Sequence, residues 1–160
     1  IMNKNNIYIL EDRGIIYING EDSFGYLQNI ISNDLSKVSD TQSCFSYLLT
    51  PQGKYLFEFI IIKHKNGYFL DCPKYQIENL NNQLNLYKLR SKVEITNLSN
   101  EFVVGALSKD NFIEFKKNNY PGMTIKFIED PVLLDPRCAK LGARIVINLE
   151  KLYLSSKKLK

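Results

Sequence analysis

Tryptophan is absent from the 160 residues, and histidine occurs once, as His64. A single histidine leaves little room for nucleophilic catalysis, since a Ser-His-Asp triad or a Cys-His pair would have to be built on it. His64 lies between Lys63 and Lys65 at a turn-prone Lys-Asn-Gly, which predicts a solvent-exposed hairpin position rather than a catalytic base. Cysteine is scarce, and Cys44, Cys72 and Cys138 are odd in number and widely spaced. That pattern excludes a disulfide framework, and without a Cys-x-x-Cys or a Cys/His cluster it offers no zinc site. Unpaired thiols suit a reducing compartment, so a cytoplasmic location is expected. Neither Gly-x-Gly-x-x-Gly nor a Walker loop occurs, and Gly53-Lys54 lacks every other element of one. Long hydrophobic runs are missing: Leu56 to Ile62 is broken by Glu58 and is too short to cross a bilayer. The start, Ile1 to Asn6, leads into no signal-peptide hydrophobic region. Charge of one sign is not in great excess. A net charge of +4 favours an anionic ligand or partner without making a nucleic-acid footprint, and direct nucleic-acid binding is not expected. Lys157, Lys158 and Lys160 supply much of that excess, as a solvated end would.

What is present is hydrophobic and aromatic. Hydrophobic residues make up 44% of the chain, with ten Tyr and nine Phe, enough for a core without covalent staples and favourable for strands. Ile7 to Leu10 and Ile15 to Ile18 read as short strands around Asp12-Arg13-Gly14. Glu21-Asp22 opens a helix with Phe24, Leu27 and Ile31 at three- and four-residue spacing, and Asn33-Asp34 redirects the chain. Cys44 to Leu49 and Tyr55 to Lys63 form a hairpin around Pro51-Gln52-Gly53-Lys54. A second turn leads into a strand from Tyr68 to Asp71. A helix with Ile77, Leu80, Leu84 and Tyr87 on one face precedes a strand from Lys92 to Thr96. Beyond it, Phe102 to Leu107, Ile125 to Ile128 and Ala143 to Asn148 read as strands, the last two joined by a Pro-containing connection. Ser108 is placed to cap a helix carrying Phe112 and Phe115, and Leu149 to Lys160 reads as a final helix. The expected class is α+β, a mainly antiparallel sheet with helices on one face. Residues 1–98 would form the first unit and 99–160 a smaller, incomplete second one.

Glu58 stands out. Alternation along its strand places Leu56, Glu58, Ile60 and Ile62 on one face and Tyr55, Phe57, Phe59 and Ile61 on the other. Both faces are apolar, so the strand is central and the carboxylate needs either a structural arginine or a ligand donor. Asn33-Asp34 and Asp135-Pro136-Arg137 are turn formers first and ligand contacts second.

Several segments, taken in order, resemble one known family. They are Asp12-Arg13-Gly14-Ile15-Ile16-Tyr17-Ile18-Asn19-Gly20-Glu21-Asp22-Ser23, Tyr26-Leu27-Gln28 with Ser32-Asn33-Asp34, and Leu48-Leu49-Thr50-Pro51-Gln52-Gly53-Lys54 running to Glu58-Phe59. Tyr87-Lys88-Leu89-Arg90-Ser91-Lys92-Val93 follows, and then Asp135-Pro136-Arg137 with Leu141-Gly142-Ala143-Arg144. The set is similar to the folate-binding family that unites the glycine-cleavage T-protein with the YgfZ-type iron–sulfur maintenance proteins, of which the chain would be the N-terminal part.

The resemblance implies a cavity for tetrahydrofolate or a derivative. Glu58 would meet the pterin, with Phe45, thirteen positions earlier, and Arg13 lining the pocket. Asn33 joins these contacts, and Arg90 is among the basic residues expected at the glutamyl tail. The T-protein pattern has Asp at position 58, Tyr at 45 and Met at 13. A carboxylate displaced by about 1 Å damages positioned catalysis, which weighs against aminomethyl transfer more than against folate binding, and the segments Tyr87 to Val93 and Asp135-Pro136-Arg137 resemble the YgfZ-type branch. That resemblance implies a folate-binding accessory protein for iron–sulfur cluster assembly or repair, with iron–sulfur proteins as partners. The alternatives are a tetrahydrofolate-dependent aminomethyltransferase, with Glu58 catalytic, and a ligand-free interaction module. The "K-G-C-Y-x-G-Q-E" motif of the YgfZ-type branch is absent, as truncation before it would explain.

Overall fold

The computed structural model describes residues 7–152. One antiparallel sheet holds β2 (Arg13–Asn19), β3 (Cys44–Leu49), β4 (Tyr55–His64), β5 (Gly67–Pro73) and β6 (Glu94–Asn97), in the order β3-β4-β5-β2-β6. A second antiparallel sheet holds β1 (Tyr8–Ile9), β7 (Phe102–Leu107), β8 (Thr124–Phe127), β9 (Asp130–Leu134) and β10 (Ala143–Asn148), in the order β1-β7-β10-β9-β8. The second sheet thus takes its edge strand β1 from the beginning of the chain. With α1 (Ser23–Ile30), α2 (Ile77–Lys88) and α3 (Ile113–Lys117), the fold is α+β, as its alternating strands and two amphipathic helices require.

The layers follow from the period-two pattern of β4. Its residues Phe59 and Ile61 pack with Leu27 of α1 and with Leu80 and Leu84 of α2. Its other face sends Ile60 and Ile62 against Val104, Leu133 and Val146 of the second sheet. The far side of that sheet buries Leu134, Ile145 and Ile147 under Phe112 and Phe115. Helices, sheet, sheet and helix therefore stack in four layers. Helices cover one face of the first sheet, as expected, and the second sheet covers the other.

Four local expectations are corrected. Phe24 is not on the buried face of α1, where Ser23, Tyr26 and Leu27 are buried, and it is exposed. The Pro-containing connection is itself a buried strand, β9. Pro131 fits there because it lies opposite Lys126 of β8 and beyond the pairing with β10, which ends at Val132, so no ladder bond is lost. Ile128 is a turn residue with φ of 51°, not a strand end.

His64 is the fourth correction. It ends β4, and its ring stacks on Phe69 at 4.3 Å with Tyr17 and Phe102 edge-on at 5.9 Å each. The alternation that carries Ile60 and Ile62 between the sheets also turns His64 inward. Burial first, then the charges of Lys65, Lys126 and Lys151, pull its pKa down to about 4. The last expected helix is helical over 149–152, and its remainder, with the lysine-rich end, lies outside the described residues.

Candidate functional site

The site forms where cover by the second sheet thins toward the start of β4. Ile60 and Ile62 are sealed, whereas Tyr55 is 68% exposed and Glu58 is half-buried between them. Glu58 lies opposite Tyr47, and Phe45 lies opposite Ile60. The rings of Phe45 and Tyr47 meet edge to face at 5.1 Å, and those of Tyr47 and Tyr55 lie 4.5 Å apart, tilted by 33°. The bulge between Leu48 and Leu49 lets Tyr55 join this aromatic row. Gln76 donates to the backbone carbonyl of Glu58 at 2.9 Å, which fixes the main chain and leaves the carboxylate free.

Beside this shelf runs a chain of arginines and buried aspartates. Arg13 Nε lies 2.7 Å from Asp71 Oδ1, and Arg144 Nη1 lies 2.7 Å from Asp71 Oδ2. Arg13 Nη2 also donates to the Asp71 carbonyl at 2.9 Å. Arg144 Nε reaches Asp135 Oδ2 at 3.6 Å. Arg137 clamps Asp135 with Nε at 2.9 Å, Nη2 at 2.6 Å and its backbone N–H at 2.9 Å. Three of the four arginines in this lysine-rich chain stand here, where forked, planar donors match two-oxygen acceptors. Burial pushes the Asp135 carboxyl up, but the Arg137 hydrogen bonds and the charges of Arg137 and Arg144 hold it below its usual range. The Arg137 guanidinium is pushed up, first by its bond to Asp135 and also by the nearby charges of Asp71 and Glu58. It lies 5.9 Å from the centroid of Phe45, within cation–π reach.

Glu58, Phe45 and Arg13 therefore share the inter-sheet face. Asn33 sits at the edge, where its Nδ2 donates to the Phe45 carbonyl at 2.9 Å and its Oδ1 accepts from Asp34 N–H at 2.8 Å. It borders a cleft of about 470 Å³ with Lys37, Gln42, Phe45, Pro121 and Pro136. Arg90 is not brought to this group. It follows α2 on the helix-covered side of the first sheet, beside Asp22, Leu89 and Ser91. Sequence reasoning missed Asp71, Arg144, Tyr47 and Tyr55. The signal for the first two was present as one charge inside an otherwise apolar strand. Burial raises the thiols of Cys44 to about 11 and Cys72 to about 12, so neither is a ready nucleophile at neutral pH. Among the described residues no cluster of three or more His, Cys, Asp or Glu could hold a metal ion.

The fold superposes on the glycine cleavage system aminomethyltransferase T of Bartonella henselae with a TM-score of 0.74 at 13% identity, covering 96% of this chain and 44% of that one. The chain shares the aminomethyltransferase T fold. A chain of the heterotetrameric sarcosine oxidase of Corynebacterium sp. U-96 also matches, with a TM-score of 0.63 at 9% identity, covering 99% of this chain and 84% of that one. In sequence, the chain is 30% identical over 70 residues to the aminomethyltransferase of Caldanaerobacter subterraneus, covering 44% of this chain and 19% of that protein. It is 24% identical over 170 aligned positions to the mitochondrial homologue of iron–sulfur cluster assembly factor IBA57 from Dictyostelium discoideum, covering 90% of this chain and 41% of that protein. No protein-family model matches. Its sequence relatives are thus aminomethyltransferases and IBA57-type assembly factors, and the chain spans less than half the length of either of these two proteins.

Proposed function

We propose that the chain is the folate-binding part of an accessory protein for iron–sulfur cluster assembly or repair. The state of Glu58 carries this reading. Asp71 and Asp135, the buried carboxylates beside it, are saturated by arginine. No hydrogen bond or ion pair engages the Glu58 carboxylate among the described residues. A half-buried carboxylate next to an aromatic row suits a flat ligand with paired N–H donors, and the amino-pyrimidinone edge of a pterin is such a group. Glu58 would accept that edge, Phe45 and Tyr47 would pack on the ring, and Arg13 would keep the floor of the site rigid through Asp71. A bound reduced folate would supply one-carbon carrier chemistry, and the chain's own residues would bind and orient it.

Coverage supports the accessory reading over the enzymatic one. Three IBA57 homologues align with 85–90% of this chain, whereas five aminomethyltransferases align with 44–67%. Iron–sulfur proteins are the proposed partners, and the three free cysteines suit a reducing compartment such as the cytoplasm.

Calorimetric titration of tetrahydrofolate into the wild-type chain and Glu58→Ala tests the reading. Saturable one-to-one binding is expected, lost in the variant with little change in thermal midpoint. Undiminished binding by Glu58→Ala would refute the ligand role, and no binding by wild type would favour the ligand-free module. An aminomethyl-transfer assay is expected to be negative; turnover would establish the enzymatic alternative.

A further inference from the structure

Arg137 is held along one edge only. Its Nε and Nη2 face Asp135 at 2.9 and 2.6 Å, and no hydrogen bond engages its Nη1 among the described residues. A guanidinium gripped side-on by one carboxylate keeps N–H groups for a second acceptor. Those groups are within a ligand's reach, because the Arg137 side chain is 36% exposed where those of Arg13 and Arg144 are 11% and 13%.

The position of Arg137 matters as much as its open edge. The guanidinium carbon lies 5.9 Å from the centroid of Phe45. Phe45 and Glu58 are diagonal neighbours on the inter-sheet face, through the pairs Phe45–Ile60 and Tyr47–Glu58. The Arg137 pKa is raised first by the bond to Asp135 and also by the charge of Glu58, yet Arg137 and Glu58 form no ion pair. The clamp on Asp135, itself buried and reached by Arg144 Nε at 3.6 Å, holds Arg137 in that place. A free acceptor and a free donor thus stand at one aromatic shelf without closing on each other.

We propose that Arg137 is a specificity-determining ligand contact, donating to the ring carbonyl that adjoins the N–H donors accepted by Glu58. The inference rests on the folate reading and narrows it to rings of one kind. In a 2-amino-4-oxo pyrimidinone the ring N–H lies between the amino group and the carbonyl. A carboxylate on the two donors therefore leaves the 4-oxo oxygen beside it, where a guanidinium can meet it. Glu58 alone would accept any flat ring with paired N–H donors. Glu58 with Arg137 reads a row of two donors and one acceptor. A 4-amino ring sets N–H groups against the N–H groups of Arg137, and donors left facing each other without an acceptor count against binding.

Calorimetric titration of tetrahydrofolate and of its 4-amino counterpart tests the inference. Wild type is expected to bind the 4-oxo form about tenfold or more tightly, the worth of a hydrogen bond to a charged donor. Arg137→Met should lose that preference, mainly by binding the 4-oxo form more weakly. Arg90→Gln, across the first sheet, should keep it. Because Arg137→Met leaves Asp135 buried without its clamp, Arg137→Met/Asp135→Asn removes both charges together. The double variant should lose the preference in the same way, with circular dichroism confirming the fold. Equal wild-type affinity for the two forms would overturn the inference and leave folate binding standing. So would a preference that survives in both variants, or an equal loss for the two forms, the mark of a merely structural clamp. Binding of neither form by wild type would overturn the inference and the folate reading together.

Discussion

Asp71 has no exposure to water and lies between two guanidinium groups, one from each sheet. The cost of removing it follows from what stays behind. In Asp71→Ala, Arg13 and Arg144 would remain in a largely buried place without their acceptor, and an uncompensated buried charge costs about 3–5 kcal/mol. Chemical denaturation is expected to show a loss of that size, against little change for Glu58→Ala, whose carboxylate satisfies no internal donor. Glu58 was legible in the sequence because one carboxylate interrupts a strand that is apolar on both faces. The partners of Asp71 were not legible, since Arg13 lies 58 positions away and Arg144 lies 73, and no local pattern links them. Arg90 shows the converse: a motif placed it among candidate contacts, and the side of the sheet on which α2 packs separates it from them.

Among the elements, the strands and helices with clean periodicity were readable, and those set by turns and prolines were not. β4 and β10 alternate between two cores, and α2 buries Ile77, Leu80 and Leu84, so their residues define them. β9 escaped detection because Asp130 and Pro131 open it, although both are sheltered in the fold. The β8–β9 turn is strained, with φ of 51° at Ile128 and 69° at Glu129. A two-residue turn of that hand prefers Asn-Gly, so Ile128→Asn with Glu129→Gly is expected to raise stability by about 1–2 kcal/mol. Leu89 ends α2 with φ of 46°, and Leu89→Gly should gain about 1 kcal/mol on the same ground. Both gains would appear as higher denaturant midpoints with unchanged slopes.

For the whole molecule, two buried ionisable groups should shape stability against pH in opposite senses. The pKa of His64 falls from 6.5 to about 4, so its contribution is complete above the higher value and is lost as pH falls toward the lower one. Asp130 is pushed from 3.8 up to about 6, first by burial, and its Oδ2 has no hydrogen-bond partner. Its contribution is complete below the lower value and is lost as pH rises through the higher. Between about pH 4 and 6 the two oppose, so the wild-type curve should be flatter than that of either variant. Asp130→Asn should expose the loss on acidification due to His64, and His64→Phe the gain due to Asp130; denaturation midpoints across that range would show both. The α+β class was readable from the order of elements. The stacking of one sheet on the other was not, because it depends on side chains such as Val104 and Val146 that lie far in sequence from the Ile60 and Ile62 they cover.

In the order β1-β7-β10-β9-β8, the last of the described strands fills the middle position. A ribosome therefore delivers the central plank of the second sheet after its neighbours on both sides. Until Ala143–Asn148 emerges, β7 and β9 have no common partner, and Ile60 and Ile62 lack the covering side chain of Val146. Residues 13–97 can complete their own hydrogen-bonded ladder earlier, yet must wait with one hydrophobic face open to solvent. Until then the growing chain exposes an apolar sheet face and unpaired strand edges, so the interval before that single strand arrives is the one most open to aggregation.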